Sequence, residues 1–307
     1  MRILFVANHN PGFFSPFVLE QAEALRKKGI EIDFYGVEGK GSIGYLCNLT
    51  ALKQKIHTYR PQLIHAHYGL CGLLANLQRE VPVVTTFHGS DIHSKGINLM
   101  LSRLAIALSA HSIFVSDPLL QMVGMGKRRS SVIPCGVNTT VFQPMDKAYA
   151  RQQLGWDNNS KKVLFAGAFD KTVKNAPLAQ ESVKLIQDAQ LIELKGYSRE
   201  EVALLLNAVD ALLMTSLNEG SPQIIKEALC CGCPIVSVKV GDVTSLIAGI
   251  EGCFLVERNA QEIASRLKVA FTSQRQGEGR NRILESGLDN TTIATKITSI
   301  YQDLIQQ

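Results

Sequence analysis

Short apolar runs alternate with amphipathic segments along most of this chain. The first run, Arg2 to Ala7, is followed by a segment that opens at Ser15-Pro16 and repeats its apolar positions at helical spacing. Strands that alternate with helices predict a parallel, doubly wound α/β sheet. The alternation is interrupted by a polar stretch at residues 143–160 and resumes at Lys161. With 307 residues, the chain is therefore predicted to form two such domains.

The stretch from Ala211 to Val240 carries the most specific pattern. It begins with the apolar run Ala211 to Met214, which is typical of a strand buried on both faces. A turn follows, and Ser221 and Pro222 are the expected N-cap and first residue of a helix. A second apolar strand, PIVSV, comes after the helix. This βαβ unit predicts a ligand site at the carboxyl ends of the strands, against the start of the helix.

Two glutamates bracket the start of that helix. Glu219 lies in the turn, and Glu227 lies within the helix eight residues later. A carboxylate beside backbone N–H groups suits a polyol next to a phosphate, because the carboxylate accepts hydroxyl protons and the amides donate to oxyanions. Taken singly, Glu219 is better explained as a turn residue and Glu227 as a residue of an exposed helix face.

The complete string EGSPQIIKEALCCGCPIV is more specific than either glutamate. It closely resembles the Glu-x7-Glu motif of family 4 of the retaining glycosyltransferases. The resemblance implies a GT-B fold, in which two Rossmann-like domains face a central cleft. It implies an acceptor-side domain at residues 1–145, a nucleotide-sugar domain at 146–290 and a final helix at 291–307 that crosses back to the first domain. The implied reaction moves a sugar from a nucleotide-diphosphate sugar to a hydroxyl acceptor.

The same resemblance assigns individual residues to the donor. Glu219 is placed at the donor sugar and Glu227 at the nucleotide ribose. His88, in the segment FHGSD, matches a family histidine that faces the donor sugar. The remaining positions are expected around the diphosphate, the helix start and the base: Gly12, Gly220, Ser221, Pro222, Gln223 and Tyr197.

Several of these residues have simpler explanations. A lone histidine such as His88 is more often structural than a ligand. Asp91 has three open roles, which are to orient His88, to contact an acceptor or to cap the following turn. Gly12 fits an ordinary turn, and Tyr197 fits an exposed one. Four histidines, His65, His67, His88 and His93, do not by themselves define a zinc site, because the sequence fixes no converging geometry.

The segment GAFDKTVKN, residues 167–175, is expected to neutralise the diphosphate. By resemblance this segment carries an arginine and a lysine; Lys174 aligns with the lysine, but Ala168 stands where the arginine is usual. Lys171 is the nearest substitute. A lysine is a point charge without the bidentate fork of arginine, so the exchange is not like for like. The alternative is that Lys171 and Lys174 are solvated loop residues.

Charge is distributed unevenly between the two halves. Residues 1–142 carry 14 Lys/Arg and 8 Asp/Glu, a net +6, whereas residues 143–307 carry 18 and 19, a net −1. A basic first half suits an anionic acceptor or peripheral contact with an anionic membrane. The family resemblance also allows a sugar or glycolipid acceptor. Nucleic acid is disfavoured, since no basic stripe is interleaved with aromatic residues.

Seven cysteines without framework spacing indicate a reducing compartment. The sequence therefore predicts a cytoplasmic protein, with peripheral contact at the inner membrane face. No cofactor and no metal are expected, because the donor is itself a co-substrate and Cys230, Cys231 and Cys233 are best explained by packing. Two other functions remain open: a nucleotide-sugar epimerase of the same fold, and a binding subunit that has lost activity.

Overall fold

The computed structural model describes residues 1–10, 12–39, 41–93, 96–124, 129–157, 160–274 and 277–306. The chain divides into two compact units, one formed by Met1–Gly136 with Asn290–Gln307 and the other by Val137–Asp289. The first unit ends before the predicted boundary at residue 145, because Val137 and Phe142 are buried in the core of the second unit.

The first unit is built on a sheet of six parallel strands. Their spatial order is β2-β1-β3-β4-β5-β6. In chain order the strands are β1 (Arg2–Asn8), β2 (Glu31–Val37), β3 (Leu63–His67), β4 (Val83–Phe87), β5 (His111–Phe114) and β6 (Ser130–Val132). Because β2 lies on one side of β1 and β3 on the other, the strand order reverses between β1 and β3. In open α/β sheets this reversal opens a crevice at the carboxyl ends of the two strands.

Helices connect these strands and cover the sheet. They are α1 (Pro16–Arg26), α2 (Gly41–Leu46), α3 (Leu49–Tyr59), α4 (Gly69–Asn76), α5 (Ile97–Leu108), α6 (Asp117–Val123) and the C-terminal helix (Asn290–Ile305). The C-terminal helix buries Ile293, Ala294, Ile297 and Tyr301 in the same apolar cluster as Ile3. Their spacing places all four on one face of the helix, so this face anchors the end of the chain to the first sheet.

The second unit contains a sheet of five parallel strands in the order β11-β10-β9-β7-β8. The strands are β7 (Lys161–Phe165), β8 (Ala189–Glu193), β9 (Ala211–Met214), β10 (Ile235–Val238) and β11 (Cys253–Val256). Here the order reverses between β7 and β9. Both predicted strands of the βαβ unit, β9 and β10, are fully buried and directly paired.

The helices of the second unit include a short 3₁₀ helix after β7. They are α7 (Lys147–Gln153), the 3₁₀ helix (Thr172–Lys174), α8 (Ala176–Lys184), α9 (Arg199–Ala208), α10 (Gln223–Cys230), α11 (Val243–Ile247), α12 (Ala260–Ala270) and α13 (Glu278–Glu285). Helix α10 begins at Gln223 with Pro222 as its N-cap, so the predicted cap at Ser221 is wrong. The hydroxyl of Ser221 is engaged elsewhere, as a donor to Asp242.

Candidate active site

The point of strand reversal in the second unit brings together the loops that follow β7 and β9. The Thr215 hydroxyl, just beyond β9, lies 3.0 Å from the carbonyl oxygen of Lys174 and 2.9 Å from that of Asn175. The N–H of Leu217 donates to the carbonyl of Val173 at 2.8 Å. These bonds join the two loops at the carboxyl edge of the sheet, where ligands bind in folds of this kind.

Lys174 and Glu219 meet at this edge. The Lys174 Nζ donates to Glu219 Oε1 at 2.6 Å, and the two side chains remain 25% and 15% exposed. Gly167 makes room for this pair, because a Cβ at that position would stand 2.7 Å from Lys174 Cγ. The sequence proposed both residues for the donor, and the structure brings them into direct contact.

The turn that carries Glu219 is supported from behind by the loop after β10. A Cβ on Gly241 would stand 2.5 Å from the carbonyl oxygen of Gly220, so the two backbones pass in close contact. Ser221 Oγ donates to Asp242 Oδ2 at 2.6 Å. Burial raises the pKa of Asp242, and the positive charge of fully buried Lys226 opposes this rise. The Ser221 hydroxyl therefore holds the turn in place.

Glu227 is buried, so the alternative of an exposed helix position is wrong. Its carboxylate accepts a hydrogen bond from the guanidinium of Arg199 at the start of α9. The Arg199 guanidinium also lies over the ring of Phe142, 4.6 Å from its centroid. Sequence reasoning missed Arg199, although it directly follows Ser198, whose side chain caps α9. A buried ion pair of this kind fixes the orientation of both side chains.

Lys171 and Tyr197 are exposed, in the loops that follow β7 and β8. An ion pair of 2.9 Å between Lys195 and Asp170 links these two loops. The structure shows Lys174 in contact with Glu219 and only partly exposed, whereas Lys171 is exposed. Lys171 and Lys174 are therefore not equivalent.

In the first unit, three imidazoles stack at the ends of β3 and β4. The ring centroids of His65 and His67 are 4.6 Å apart, and those of His67 and His88 are 5.4 Å apart. His65 and His67 are completely buried, and burial lowers the pKa of both. The two ring nitrogens of His65 are hydrogen-bonded to the hydroxyl of Tyr301 in the C-terminal helix and to the hydroxyl of Thr86 in β4. His65 and His67 are thus internal residues of the sheet.

His88 lies at the rim of this stack. Its ring is 4.7 Å from the rings of both Phe17 and Tyr68. Its Nε2 lies 3.2 Å from His67 Nδ1, and its Nδ1 lies 3.7 Å from Cys135 Sγ. Both ring nitrogens of His88 consequently have protein partners.

Asp91 organises the loop after β4. Its carboxylate accepts hydrogen bonds from the backbone N–H groups of Gly69, His88, Gly89 and Ile92 at 2.9–3.3 Å. Burial raises the pKa of Asp91, and the hydrogen bonds from the backbone N–H groups of Gly89, His88 and Gly69 oppose the rise. Among the three roles left open by the sequence, this arrangement favours the one that fixes the turn.

Gly12 lies in an exposed turn after β1. Its φ of +80° is in the left-handed region that favours glycine, and its N–H donates to the carbonyl of His9 at 2.8 Å. The positions expected from the sequence therefore fall into two groups, each at the carboxyl edge of its own sheet.

Two protein-family models match this chain. The model described as Glycosyltransferase Family 4 matches residues 39–141, and the model described as Glycosyl transferases group 1 matches residues 151–273. Together the two matches cover most of the chain. The chain belongs to glycosyltransferase family 4. The predicted family is confirmed.

This member of the family is similar to several curated proteins. It is 25% identical over 237 residues to TuaC of Bacillus subtilis, which is named as a teichuronic acid biosynthesis glycosyltransferase. That match covers 67% of this chain and spans only 60% of TuaC. A D-inositol 3-phosphate glycosyltransferase of Streptosporangium roseum is 23% identical over 313 residues, which are 81% of this chain and 71% of that protein.

Solved structures share the fold. Sucrose-phosphate synthase from Thermosynechococcus elongatus superposes with a TM-score of 0.84 at 18% identity, covering 100% of this chain and 99% of that one. Anabaena HepE in complex with UDP-glucose gives a TM-score of 0.71 at 19% identity, covering 99% of this chain and all of that one. The predicted α/β GT-B fold, with two doubly wound sheets, is confirmed. Among the described helices, none combines the length and apolar character needed to cross a membrane.

Proposed function

We propose that this chain transfers a sugar from a nucleotide-diphosphate sugar to a hydroxyl acceptor, with retention of the anomeric configuration. The observation that carries the proposal is the contact between Lys174 and Glu219 at the point of strand reversal, beside the start of α10. It places a cation, a carboxylate and helix N–H groups together, which is what a sugar attached to a diphosphate requires. The structures of Anabaena HepE in complex with UDP and with UDP-glucose support a nucleotide-sugar donor.

In this proposal the second unit binds the donor. Glu219 accepts hydrogen bonds from hydroxyl groups of the sugar. When the donor binds, the Lys174 ammonium interacts with the diphosphate as well as with Glu219. Glu227, held by Arg199, accepts from the ribose hydroxyls. The exposed positions Lys171 and Tyr197 lie toward the diphosphate and the base. The backbone of Gly220, Ser221, Pro222 and Gln223 surrounds the phosphates.

The proposed chemistry needs no protein nucleophile. The bond between the anomeric carbon and the phosphate oxygen breaks, and the acceptor oxygen forms its bond on the same face of the sugar. The departing phosphate oxygen takes the acceptor proton, so the atoms and charges balance without a general base. The protein contributes orientation and a fixed positive charge, which gains value as charge develops on the diphosphate.

We further propose an anionic acceptor or one presented at an anionic membrane surface. Supporting this, the first half of the chain carries a net +6, and residues 92–116 contain no Asp or Glu. Helix α5, within that segment, exposes Ile97 and Met100 to 62% and 61%. Apolar side chains on a helix without acidic residues are typical of contact with a membrane surface.

The test is transfer from a panel of nucleotide sugars that includes UDP-glucose, with the anomeric configuration of donor and product followed by NMR. We expect a product with the donor configuration, and loss of most transfer in Glu219→Gln. The matched control is Glu181→Gln, an exposed glutamate on α8 of the same unit. An inverted product would refute retention. Epimerised donor without any acceptor product would instead identify an epimerase, and binding without any turnover would identify an inactive subunit.

A further inference from the structure

His67 is a completely buried residue in the middle of the imidazole stack. Its ring lies nearly parallel to both neighbours, at 17° to His65 and 22° to His88. The ring of Phe5 approaches it from the side, with centroids 5.1 Å apart. No part of its side chain is accessible to solvent. The mechanism proposed above assigns this residue no role.

The proton on His67 has one favourable position. Burial lowers the pKa of His67 to about 3, so at neutral pH the ring is neutral and carries a single N–H. Its Nδ1 lies 3.2 Å from His88 Nε2, whereas its Nε2 is buried and has no hydrogen-bond partner in the described part of the chain. An unpaired buried N–H is rarer in proteins than an under-satisfied acceptor. The proton therefore belongs on Nδ1, from which it donates to His88.

This assignment fixes the next ring as well. Because His88 Nε2 accepts the bond from His67, the neutral His88 ring carries its own proton on Nδ1. That atom lies 3.7 Å from Cys135 Sγ, within reach of a hydrogen bond to sulfur. Phe17 and Tyr68 contact the same ring, each at 4.7 Å between centroids. Sheet geometry holds the donor itself in place, since His67 is the last residue of β3 and β3 pairs with β4 just before His88.

We propose that His67 is a positioning residue, which sets the tautomer and the orientation of His88 through a hydrogen bond from its Nδ1–H to His88 Nε2. Both rings then carry their proton on Nδ1, the less common tautomer of free histidine. As the acceptor of this bond, His88 Nε2 is then occupied and does not exchange a proton with the substrate. This agrees with a reaction in which the leaving phosphate takes the acceptor proton. The kinetic consequence rests on the proposed glycosyltransfer, whereas the tautomers do not.

The first experiment reads the tautomers directly. The full-length protein is labelled with ¹⁵N-histidine, and the ring nitrogens are measured by NMR at neutral pH. The His67 signals are assigned by their disappearance in His67→Asn, and free ¹⁵N-histidine in the same buffer provides the reference for an unconstrained ring. We expect His67 and His88 to be protonated on Nδ1. Protonation of His67 on Nε2 would overturn the proposal, whatever the activity of the protein.

The second experiment compares two amide substitutions of His67. An asparagine amide reaches the place of Nδ1 and can still donate to His88, whereas a glutamine amide reaches the place of Nε2 and cannot. We expect His67→Asn to retain most of kcat, and His67→Gln to lose about tenfold, the value of one hydrogen bond. The affinity for the bare nucleotide should be the same in both variants, because the nucleotide is assigned to the other unit.

Thermal melting of both variants separates positioning from folding. If His67 had a purely structural role, its substitution would lower the apparent kcat only by lowering the folded fraction of the protein. The two amide variants would then have the same kcat under conditions in which both are folded. Equal kcat in folded His67→Asn and His67→Gln would overturn the positioning role. Should the wild-type protein transfer no sugar at all, the proposed function fails while the ¹⁵N spectrum still decides the tautomers.

Discussion

At the scale of single residues, Lys174 and Glu219 are in direct contact, although the sequence assigned them to two different parts of the donor. The motif placed Glu219 at the sugar and Lys174 at the diphosphate, and the structure shows them 2.6 Å apart. The hydrogen bond from the Lys174 ammonium holds the Glu219 carboxylate in one orientation. The pair is therefore prepared for a donor that presents hydroxyl groups beside an anion.

Substitution of Glu219 tests the sugar assignment. Glu219→Gln removes a charge-assisted bond worth roughly 1.5–3 kcal/mol. We expect transfer efficiency to fall by about ten- to two-hundredfold, with little change in the affinity for the bare nucleotide. Steady-state kinetics and nucleotide titration measure the two quantities. Nucleotide binding that weakens as much as turnover would contradict the contact with the sugar.

Substitution of Gly167 tests the position of Lys174 without removing its charge. The new Cβ of Gly167→Ala would stand 2.7 Å from Lys174 Cγ, so the lysine must move away from Glu219. Loss of one positioned cation is expected to lower kcat by about tenfold, since the cation stabilises the transition state more than the ground state. Gly277→Ala is the control, because a Cβ there meets nothing within 4 Å. An unchanged kcat in Gly167→Ala would show that the transfer does not depend on Lys174 where the structure places it.

At the scale of secondary structure, the sequence predicted the elements better than their contacts. Strands β9 and β10 and the helix between them were recognisable, because buried parallel strands form continuous apolar runs. The cap of α10 was predicted incorrectly because Asp242, which takes the Ser221 hydroxyl, lies in the loop after the following strand. The partner of Glu227 was missed for the same reason, since Arg199 belongs to the preceding helix. Local patterns carry no information about such partners.

The imidazole stack gives β3 and β4 a measurable dependence on pH. Burial lowers the pKa of His65 and His67 below their unfolded values, so the unfolded chain binds these protons first as the pH falls. Their contribution to stability is complete above pH ~6.5 and is lost as the pH falls toward the folded pKa, about 3 for His67. Two protons correspond to a slope of at most about 2.7 kcal/mol per pH unit.

Urea unfolding between pH 7 and pH 5 measures this slope. Burial raises the pKa of Asp91 and Asp242, so their contributions have the opposite sign and stability from them grows as the pH falls. We therefore compare the wild type with His67→Asn, which removes one histidine and leaves both aspartates. The variant should lose stability less steeply on acidification. Identical slopes would mean that His67 is not buried in its neutral form.

At the scale of the whole molecule, each sheet presents its chemical groups at one edge. The two-domain organisation and the parallel sheets followed from the repeat of strands and helices. The position of each strand reversal did not, because strand order depends on packing between segments distant in sequence. Only the structure shows that Lys174 and Glu219 flank the reversal between β7 and β9.

Independence from divalent metal is a prediction for the complete enzyme. The proposed site neutralises the diphosphate with Lys174 and with the N–H groups at the start of α10, so a bridging cation has no assigned task. We expect the rate of transfer to be unchanged by an excess of chelator. The measurement is turnover with and without EDTA, followed by addition of Mg²⁺ or Mn²⁺. Activity that disappears with chelator and returns with the metal would contradict this expectation.

The pairing of Val137 with Asp289 has a consequence for the way the gene product is assembled. These residues form a parallel bridge at the two ends of the second unit. In the first unit, Gly136 approaches Asn290 so closely that a Cβ would stand 2.6 Å from its Oδ1. The second unit is therefore an insertion in the sequence of the first unit, and its first and last residues lie next to each other. During translation the whole second unit is synthesised before the C-terminal helix that completes the first unit. The Tyr301 hydroxyl, which is hydrogen-bonded to His65, is therefore added last.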